Sequence, residues 1–147
     1  MAIGKKTCRG LHSLGDIEVT KKAFYESEEN IDDFLNKLLI GIDLVIFVCG
    51  FGGGNGTGLL PLLVKKINDM NIKSISMIGK PLLIEGNKRL NLFNNGLEEL
   101  KKVTNEIVVI DSDKVVLSSG VSSLIEAFKK VDLEFSNKII DILKDCE

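Results

Sequence analysis

Apolar residues recur along this chain with two different spacings. Ile31, Phe34, Leu35 and Leu38 follow the three- and four-residue spacing of one helical face. Residues 44–49, by contrast, are apolar at every position, which is typical of a strand buried on both faces of a parallel sheet. The two spacings predict, in order, a helix through 31–38, a strand at 44–49, a helix at 59–69, a strand at 74–78, a helix at 87–103, a strand at 106–110 and a helix at 124–146.

The alternation of strands and helices predicts an α/β fold of the Rossmann-like kind, a three-layer arrangement with helices on both faces of a parallel sheet. In such sheets ligands bind outside the carboxyl ends of the strands. Those ends carry residues 50–58, 80–89 and 111–113 here. We therefore expect these three segments to converge on one crevice.

The segment 50–58 contains six glycines in nine residues and lies between a predicted strand and a predicted helix. Glycine buries no side chain and loses the most backbone entropy on ordering, so this density is not a packing device. A tight turn would need only one or two glycines. Bare N–H groups aimed by a following helix suit a phosphate. We place Pro61 in the first turn of that helix, where proline is tolerated.

The common phosphate-binding motifs are absent from this segment. No Lys-Ser or Lys-Thr follows the glycines as the P-loop pattern requires, and the dinucleotide pattern G-x-G-x-x-G fails at every start position. The sequence therefore disfavours a P-loop and a dinucleotide-binding loop and indicates a different phosphate loop.

Composition narrows the function classes further. The 147 residues carry a net charge of −2 and are 44% hydrophobic and 27% charged, which is typical of one soluble domain. Aromatic residues make up only 5% and no basic patch stands out, so we expect no nucleic-acid binding. No segment predicts membrane insertion. Three widely spaced cysteines predict neither a disulfide framework nor a zinc site, and we expect a cytoplasmic protein.

The glycine segment resembles the signature of the tubulin and FtsZ family, and matching motifs extend along essentially the whole chain. Besides 52–58, they are Arg9-Gly10-Leu11, Lys80-Pro81, Glu85-Gly86, Lys88-Arg89, Ile110 with Asp113, and Ala127-Phe128. The resemblance implies binding of GTP or GDP, with Mg²⁺ accompanying GTP. It also implies head-to-tail polymerisation into a septal ring at midcell, with GTPase activity arising between subunits.

The resemblance also implies site residues. It assigns phosphate contacts to the glycine segment, a ribose contact to two side chains after the second strand, and the guanine contact to three side chains further on. These are Gly52, Gly53, Gly54, Asn55, Gly56 and Thr57, then Glu85 and Arg89, then Ser112, Phe128 and Asp132. The segment 11–16 matches the part of the family that senses the terminal phosphate.

Several of these positions have plainer interpretations or depart from the family pattern. Glu85 and Arg89 could form an ordinary i, i+4 surface ion pair, and Phe128 and Asp132 could be a core residue and a solvated one. The family prefers Thr where Asn55 stands and has Asn where Ser112 stands. The loss of that amide predicts weaker recognition of the base.

The resemblance covers only the middle of the family's GTP-binding domain. We expect residues 1–147 to form one partial domain without the first glycine loop or the catalytic acidic loop, so one sheet edge is exposed and GTPase activity by this chain alone is slight or absent. Three functions stay open. One is an FtsZ-type division protein that pairs with itself or with intact FtsZ. Another is a degenerate relative that regulates polymerisation, acts as a decoy or has no function. The third is an unrelated α/β phosphate-ligand binder.

Overall fold

The computed structural model describes residues 16–104, 106–120 and 123–145. In chain order its elements are α1 (Ile17–Glu26), α2 (Glu28–Leu38), β1 (Leu44–Gly50), α3 (Gly54–Asp69), β2 (Lys73–Lys80), a 3-10 turn (Leu83–Glu85), α4 (Asn87–Lys101), β3 (Ile107–Asp111), α5 (Ser112–Ser119) and α6 (Leu124–Asp145).

The three strands form one parallel sheet in the order β1-β2-β3. Helices α3 and α4 cover the face that Ile78 points to, and the core there consists of Phe51, Leu60, Val64, Ile78, Phe93 and Leu100. Neighbouring residues of a strand point to opposite faces, so Gly79 points the other way. A Cβ on Gly79 would lie 3.2 Å from the ring of Phe135 in α6. Helices therefore lie on both faces, and the predicted three-layer α/β fold is confirmed.

The burial of the strands differs from the sequence prediction. The strand predicted to be buried on both faces, β1, is only partly buried, and Val48 keeps 49% of its surface exposed. Within the described residues β1 pairs with β2 alone, so one of its edges has no neighbour. The fully buried strand is β2, which has neighbours on both sides and whose residues 74–79 are all buried. Hydrophobicity alone did not predict which strand is central.

Helix α3 begins at Gly54, five residues before the predicted start at Leu59. The prediction that Pro61 lies in the first turn is therefore wrong, because Pro61 is inside the helix. A proline there removes one backbone hydrogen bond of the helix. Most of the glycine segment is thus the first turn of a helix rather than a loop.

Two helices escaped the sequence analysis. The segment α1 was not assigned a structure, although Asp16 caps its first turn by accepting hydrogen bonds from the N–H groups of Glu18 and Val19. Residues 111–113 were interpreted only as a strand end. Asp111 in fact caps α5 and accepts from Lys114 N at 3.3 Å. Acidic N-cap residues were the available signal in both places.

Helices α1 and α2 pack against α3, and Val45 and Phe47 of β1 contact the same apolar cluster. Their shared core consists of Phe24, Ile31, Leu35 and Ile67. At its rim the Lys66 ammonium contacts Glu28 at 2.8 Å and Asp32 at 2.6 Å. Hydrogen bonds to Asp32 and then to Glu28 raise the pKa of Lys66 above its usual range. The pairing therefore joins α2 to α3.

Among the helices of the described part, none combines the length and the apolar character that a membrane span requires.

Candidate functional site

The turn between β1 and α3 is held in place by backbone and side-chain hydrogen bonds. Phe51 N donates to Gly79 O at 3.0 Å, which ties the turn to the end of β2. Gly52 adopts a φ of 95°, and its N–H donates to the Thr57 hydroxyl at 2.9 Å. The chain therefore reverses from strand to helix in a defined conformation.

The geometry explains why side chains are excluded from this turn. A Cβ on Gly56 would lie closer than 3.0 Å to Gly50 O, a backbone atom that cannot move aside. At Gly52 the positive φ already favours glycine, and a Cβ there would meet Arg89 O at 3.0 Å. These are cradle-like positions, where the backbone approaches another group too closely for any side chain.

The first turn of α3 has the chemistry of an anion site. The N–H groups of Gly54 and Gly56 have no acceptor within the helix, because the four-residue bonding pattern begins later, with Thr57 N donating to Gly53 O at 3.3 Å. The helix dipole adds partial positive charge at this end. A phosphate fits this donor set, and no side chain at these glycines obstructs it.

The two polar side chains of the turn differ in exposure. Asn55 is exposed and accepts from the Thr20 hydroxyl of α1 at 3.4 Å, which links the turn to α1. Thr57 is only 2% exposed. Its hydroxyl lies inside the protein, where it accepts from Gly52 N.

Glu85 and Arg89 lie beside the turn. The Arg89 guanidinium contacts the Glu85 carboxylate at 2.5 Å, and Glu85 also accepts from Leu82 N at 2.9 Å. The backbone of Arg89 packs against Gly52. The pair thus forms the surface ion pair of the plainer interpretation, and it does so at the edge of the glycine turn.

The ends of β2 and β3 meet through one lysine. Lys80 contacts Asp111 at 3.1 Å and Asp113 at 3.9 Å, while Asp113 also accepts from Leu83 N at 3.1 Å. Burial raises the pKa of Asp111, but bonds from Lys80 and from Lys114 N–H outweigh it and hold that pKa below its usual range. The segments that follow the three strands are therefore neighbours, as Gly52 with Arg89 and Lys80 with Asp111 show, and the single crevice between them stays a prediction.

The candidate base-contacting residues are less organised. Ser112 is buried, and its hydroxyl donates to Lys80 O at 2.6 Å, so the hydroxyl proton is already used within the protein. Phe128 and Asp132 lie one turn apart on α6, and both are exposed, Phe128 by 47%. Among the described residues no hydrogen bond or ion pair joins either of them to the glycine turn.

The Cys49 thiol near the turn is not suited to nucleophilic chemistry. Burial raises the pKa of the Cys49 thiol to about 12, so this residue at the end of β1 stays protonated and is a poor nucleophile. No group of three or more His, Cys, Asp or Glu side chains in the described ranges could hold a metal ion. The segment 11–15 and the Arg9-Gly10-Leu11 motif lie outside those ranges.

Sequence reasoning missed two contributors to the site. Lys80 was noted only as part of a family motif, yet it joins both strand ends. Gly96 in α4 was assigned no role, yet a Cβ on it would meet Thr57 and Phe51. The glycine inside an otherwise regular helix was the signal that could have identified it.

Comparison with known proteins gives consistent results. The family model described as "Tubulin/FtsZ family, GTPase domain" matches residues 1–119. The chain is 34% identical over 139 residues to the cell division protein FtsZ of Wigglesworthia glossinidia brevipalpis, a match that covers 93% of this chain and 35% of the relative. The chain thus spans about a third of that relative's length.

Solved structures agree in fold. An empty FtsZ dimer from M. jannaschii matches with a TM-score of 0.80 and 32% identity, covering 92% of this chain and 38% of that one. The GDP-bound monomer of CetZ1 from Haloferax volcanii matches with a TM-score of 0.77 over 91% of this chain and 41% of that one, and at 18% identity it supports the fold alone. On the family model and the FtsZ matches together, this chain belongs to the Tubulin/FtsZ family, as a homologue of the cell division protein FtsZ.

Proposed function

We propose that this chain binds GTP or GDP, with the nucleotide phosphates on the turn between β1 and α3. The observation that carries the proposal is the turn itself, where Gly52 and Gly56 exclude side chains and the first-turn N–H groups of α3 lack acceptors within the helix. Family membership supports a guanine nucleotide as the anion. The predicted phosphate residues Gly52, Gly53, Gly54, Asn55, Gly56 and Thr57 all lie in this turn or in the first turn of α3.

The remaining contacts of the nucleotide follow from the neighbouring side chains. The Glu85 carboxylate can accept from ribose hydroxyls, and the Arg89 guanidinium can donate to ribose or phosphate oxygens. Binding would then replace part of their mutual ion pair, which is accessible because Arg89 is 55% exposed. Mg²⁺ would accompany GTP as a partner of the phosphates, and we assign no protein ligand to it.

Selection of guanine would depend on Asp132 and on the face of Phe128. A carboxylate accepts from both the N1–H and N2–H groups of guanine, which adenine does not offer. Ser112 supports this selection less than the family's Asn would, because its hydroxyl already donates to Lys80 O. We therefore expect a guanine preference that rests mainly on one exposed carboxylate.

The whole protein's role is proposed from the family. We propose that the chain acts in cytoplasmic cell division as the nucleotide-binding part of an FtsZ-like protein. It would assemble with copies of itself or with an intact FtsZ. A structure titled as an FtsZ dimer among its relatives supports such pairing.

Competition between nucleotides tests this proposal. Fluorescently labelled GDP is titrated with the purified chain, and unlabelled GDP or ADP is then added as competitor. The expected result is saturable binding that GDP displaces at least about tenfold better than ADP, since base-edge hydrogen bonds to a charged group contribute about 1.5–3 kcal/mol. Equal displacement by both would reject guanine selection, and no binding at all would reject the nucleotide site.

A further inference from the structure

Gly96 occupies an unfavourable position for a glycine, inside the 15-residue helix α4. Its surroundings explain why. A Cβ there would lie closer than 3.0 Å to Thr57 Cγ2, and 3.2 Å from the ring of Phe51. Gly96 is therefore a notch in α4 that receives the Thr57 methyl group.

Thr57 joins this notch to the glycine turn through its two branches. While its methyl group occupies the notch, its hydroxyl accepts from Gly52 N at 2.9 Å. A threonine side chain has few χ1 positions, so fixing the methyl also fixes the hydroxyl. The conformation of Gly52, with its φ of 95°, is thus set from α4 through one side chain.

A second contact between the same two segments acts in the same direction. A Cβ on Gly52 would lie 3.0 Å from Arg89 O and 3.3 Å from Arg89 Cβ, so the first turn of α4 already packs against the glycine turn. The ring of Phe51 packs edge-on against Phe93 of α4, with ring centres 6.3 Å apart. Helix α4 therefore supports the turn along three of its own turns, at Arg89, Phe93 and Gly96.

We propose that Gly96 and Thr57 are positioning residues for the phosphate turn, with the Gly96 notch holding Thr57 and the Thr57 hydroxyl holding Gly52. The proposal rests on the proposed nucleotide site, since its function is to present that site's N–H groups. Thr57 then acts through Gly52 instead of contacting the phosphate, in agreement with its 2% exposure. The Gly52 N–H group, which donates to Thr57, stabilises the conformation of the glycine turn.

A double-mutant cycle tests the contact. Gly96→Ala places a methyl group against Thr57 Cγ2, and Thr57→Ser removes that carbon while keeping the hydroxyl. Gly96→Ala alone is expected to weaken binding of labelled GDP about tenfold, whereas the double variant is expected to recover to within about threefold of the parent chain. The exposed neighbour Asn95→Ala serves as the control for helix propensity and should leave the affinity unchanged.

A second readout separates this proposal from the nucleotide proposal. Amide hydrogen exchange at Gly52, measured without nucleotide, is expected to accelerate in Gly96→Ala and to return towards the parent rate in the double variant. Thr57→Val keeps the shape of the side chain, removes the acceptor and is expected to accelerate exchange at Gly52 as well. If the parent chain binds no GDP, or if Gly96→Ala does not fold, amide exchange at Gly52 in the Thr57→Val variant still tests whether Thr57 holds the turn.

Two results would overturn the positioning role. One is Gly96→Ala with parent affinity and parent exchange at Gly52. The other is unchanged Gly52 exchange in Thr57→Val, since a hydrogen bond that can be removed without effect does not hold the turn.

Discussion

The proposed phosphate end and the proposed base end of the candidate site differ in how far contacts within the chain hold them in place. At the phosphate end, Gly52 is fixed by Thr57, by the backbone of Arg89 and by the tie between Phe51 and Gly79. At the base end, Phe128 and Asp132 are exposed on α6, and Ser112 donates to Lys80 O within the protein. One half of the site is thus held by contacts within the chain, and the other half consists mainly of exposed side chains.

The difference follows from which atoms each half uses. Phosphate binding by N–H groups needs a fixed backbone conformation, and that conformation is maintained by packing that also belongs to the core. Base selection needs one carboxylate at one place, which an exposed helix position supplies at little cost in stability. We therefore expect substitutions at the phosphate end to change stability and affinity together. Each substitution at the base end should change either affinity or stability, but not both.

The largest effect is expected for Gly56→Ala. The new Cβ would lie closer than 3.0 Å to Gly50 O, so the turn must open. We expect destabilisation by about 1–3 kcal/mol and at least about a tenfold loss in GDP affinity, measured by urea unfolding and by titration. The matched control is Gly50→Ala, where a Cβ meets nothing within 4 Å and stability should change little. Equal stability of both variants would contradict the close approach of Gly56 to Gly50 O.

The next effect is expected for Asp132→Ala at the base end. Loss of the carboxylate should lower GDP affinity about ten- to a hundredfold without changing ADP affinity, because only guanine presents two donors to it. The free energy of unfolding should stay within about 0.5 kcal/mol, since the side chain is exposed. Asp141→Ala on the same helix controls for charge. A parallel loss of GDP and ADP affinity would place Asp132 outside the base contact.

A smaller effect, on stability and not on base selection, is expected for Ser112→Ala. Removing the hydroxyl leaves Lys80 O without its donor at 2.6 Å, which should cost about 1 kcal/mol of unfolding free energy. The ratio of GDP to ADP affinity should stay unchanged. Ser118→Ala, an exposed position on α5, is the control. A changed ratio would mean that Ser112 turns towards the base when nucleotide binds.

The smallest effect is a dependence of stability on pH through Asp111. Its folded pKa lies below the ordinary value of 3.8, so its contribution is present above pH 3.8 and is lost as pH falls through the folded pKa. Asp111→Asn keeps the helix cap and removes the charge. We expect it to cost about 0.5–1 kcal/mol at pH 7 and less at pH 3, by urea unfolding. An equal cost at both pH values would contradict the ion pair with Lys80.

The sequence predicted the fold well where the period of apolar residues is undisturbed. Helix α4 and helix α6 begin at Asn87 and Leu124 as expected, and the three strands lie within one or two residues of their predicted places. These segments carry their own periodicity, so no knowledge of their neighbours is needed.

The start of α3 could not be predicted, because its first turn is made of poor helix residues. Gly54, Gly56 and Gly58 disfavour a helix locally. Tertiary packing favours glycine there, since a Cβ on Gly58 would lie only 3.2 Å from Ile17 O. The partners of Ser112 and Gly96 could not be predicted either, because each lies far along the chain, Lys80 for the first and Thr57 for the second.

The central claim, that a nucleotide's phosphates rest on the turn between β1 and α3, is tested most directly by amide chemical-shift mapping of the ¹⁵N-labelled chain with GDP. The account predicts that the largest shifts occur at Gly53, Gly54 and Gly56 and saturate with the same affinity as the labelled nucleotide. Saturable binding of GDP that leaves these three amide signals unmoved would contradict it.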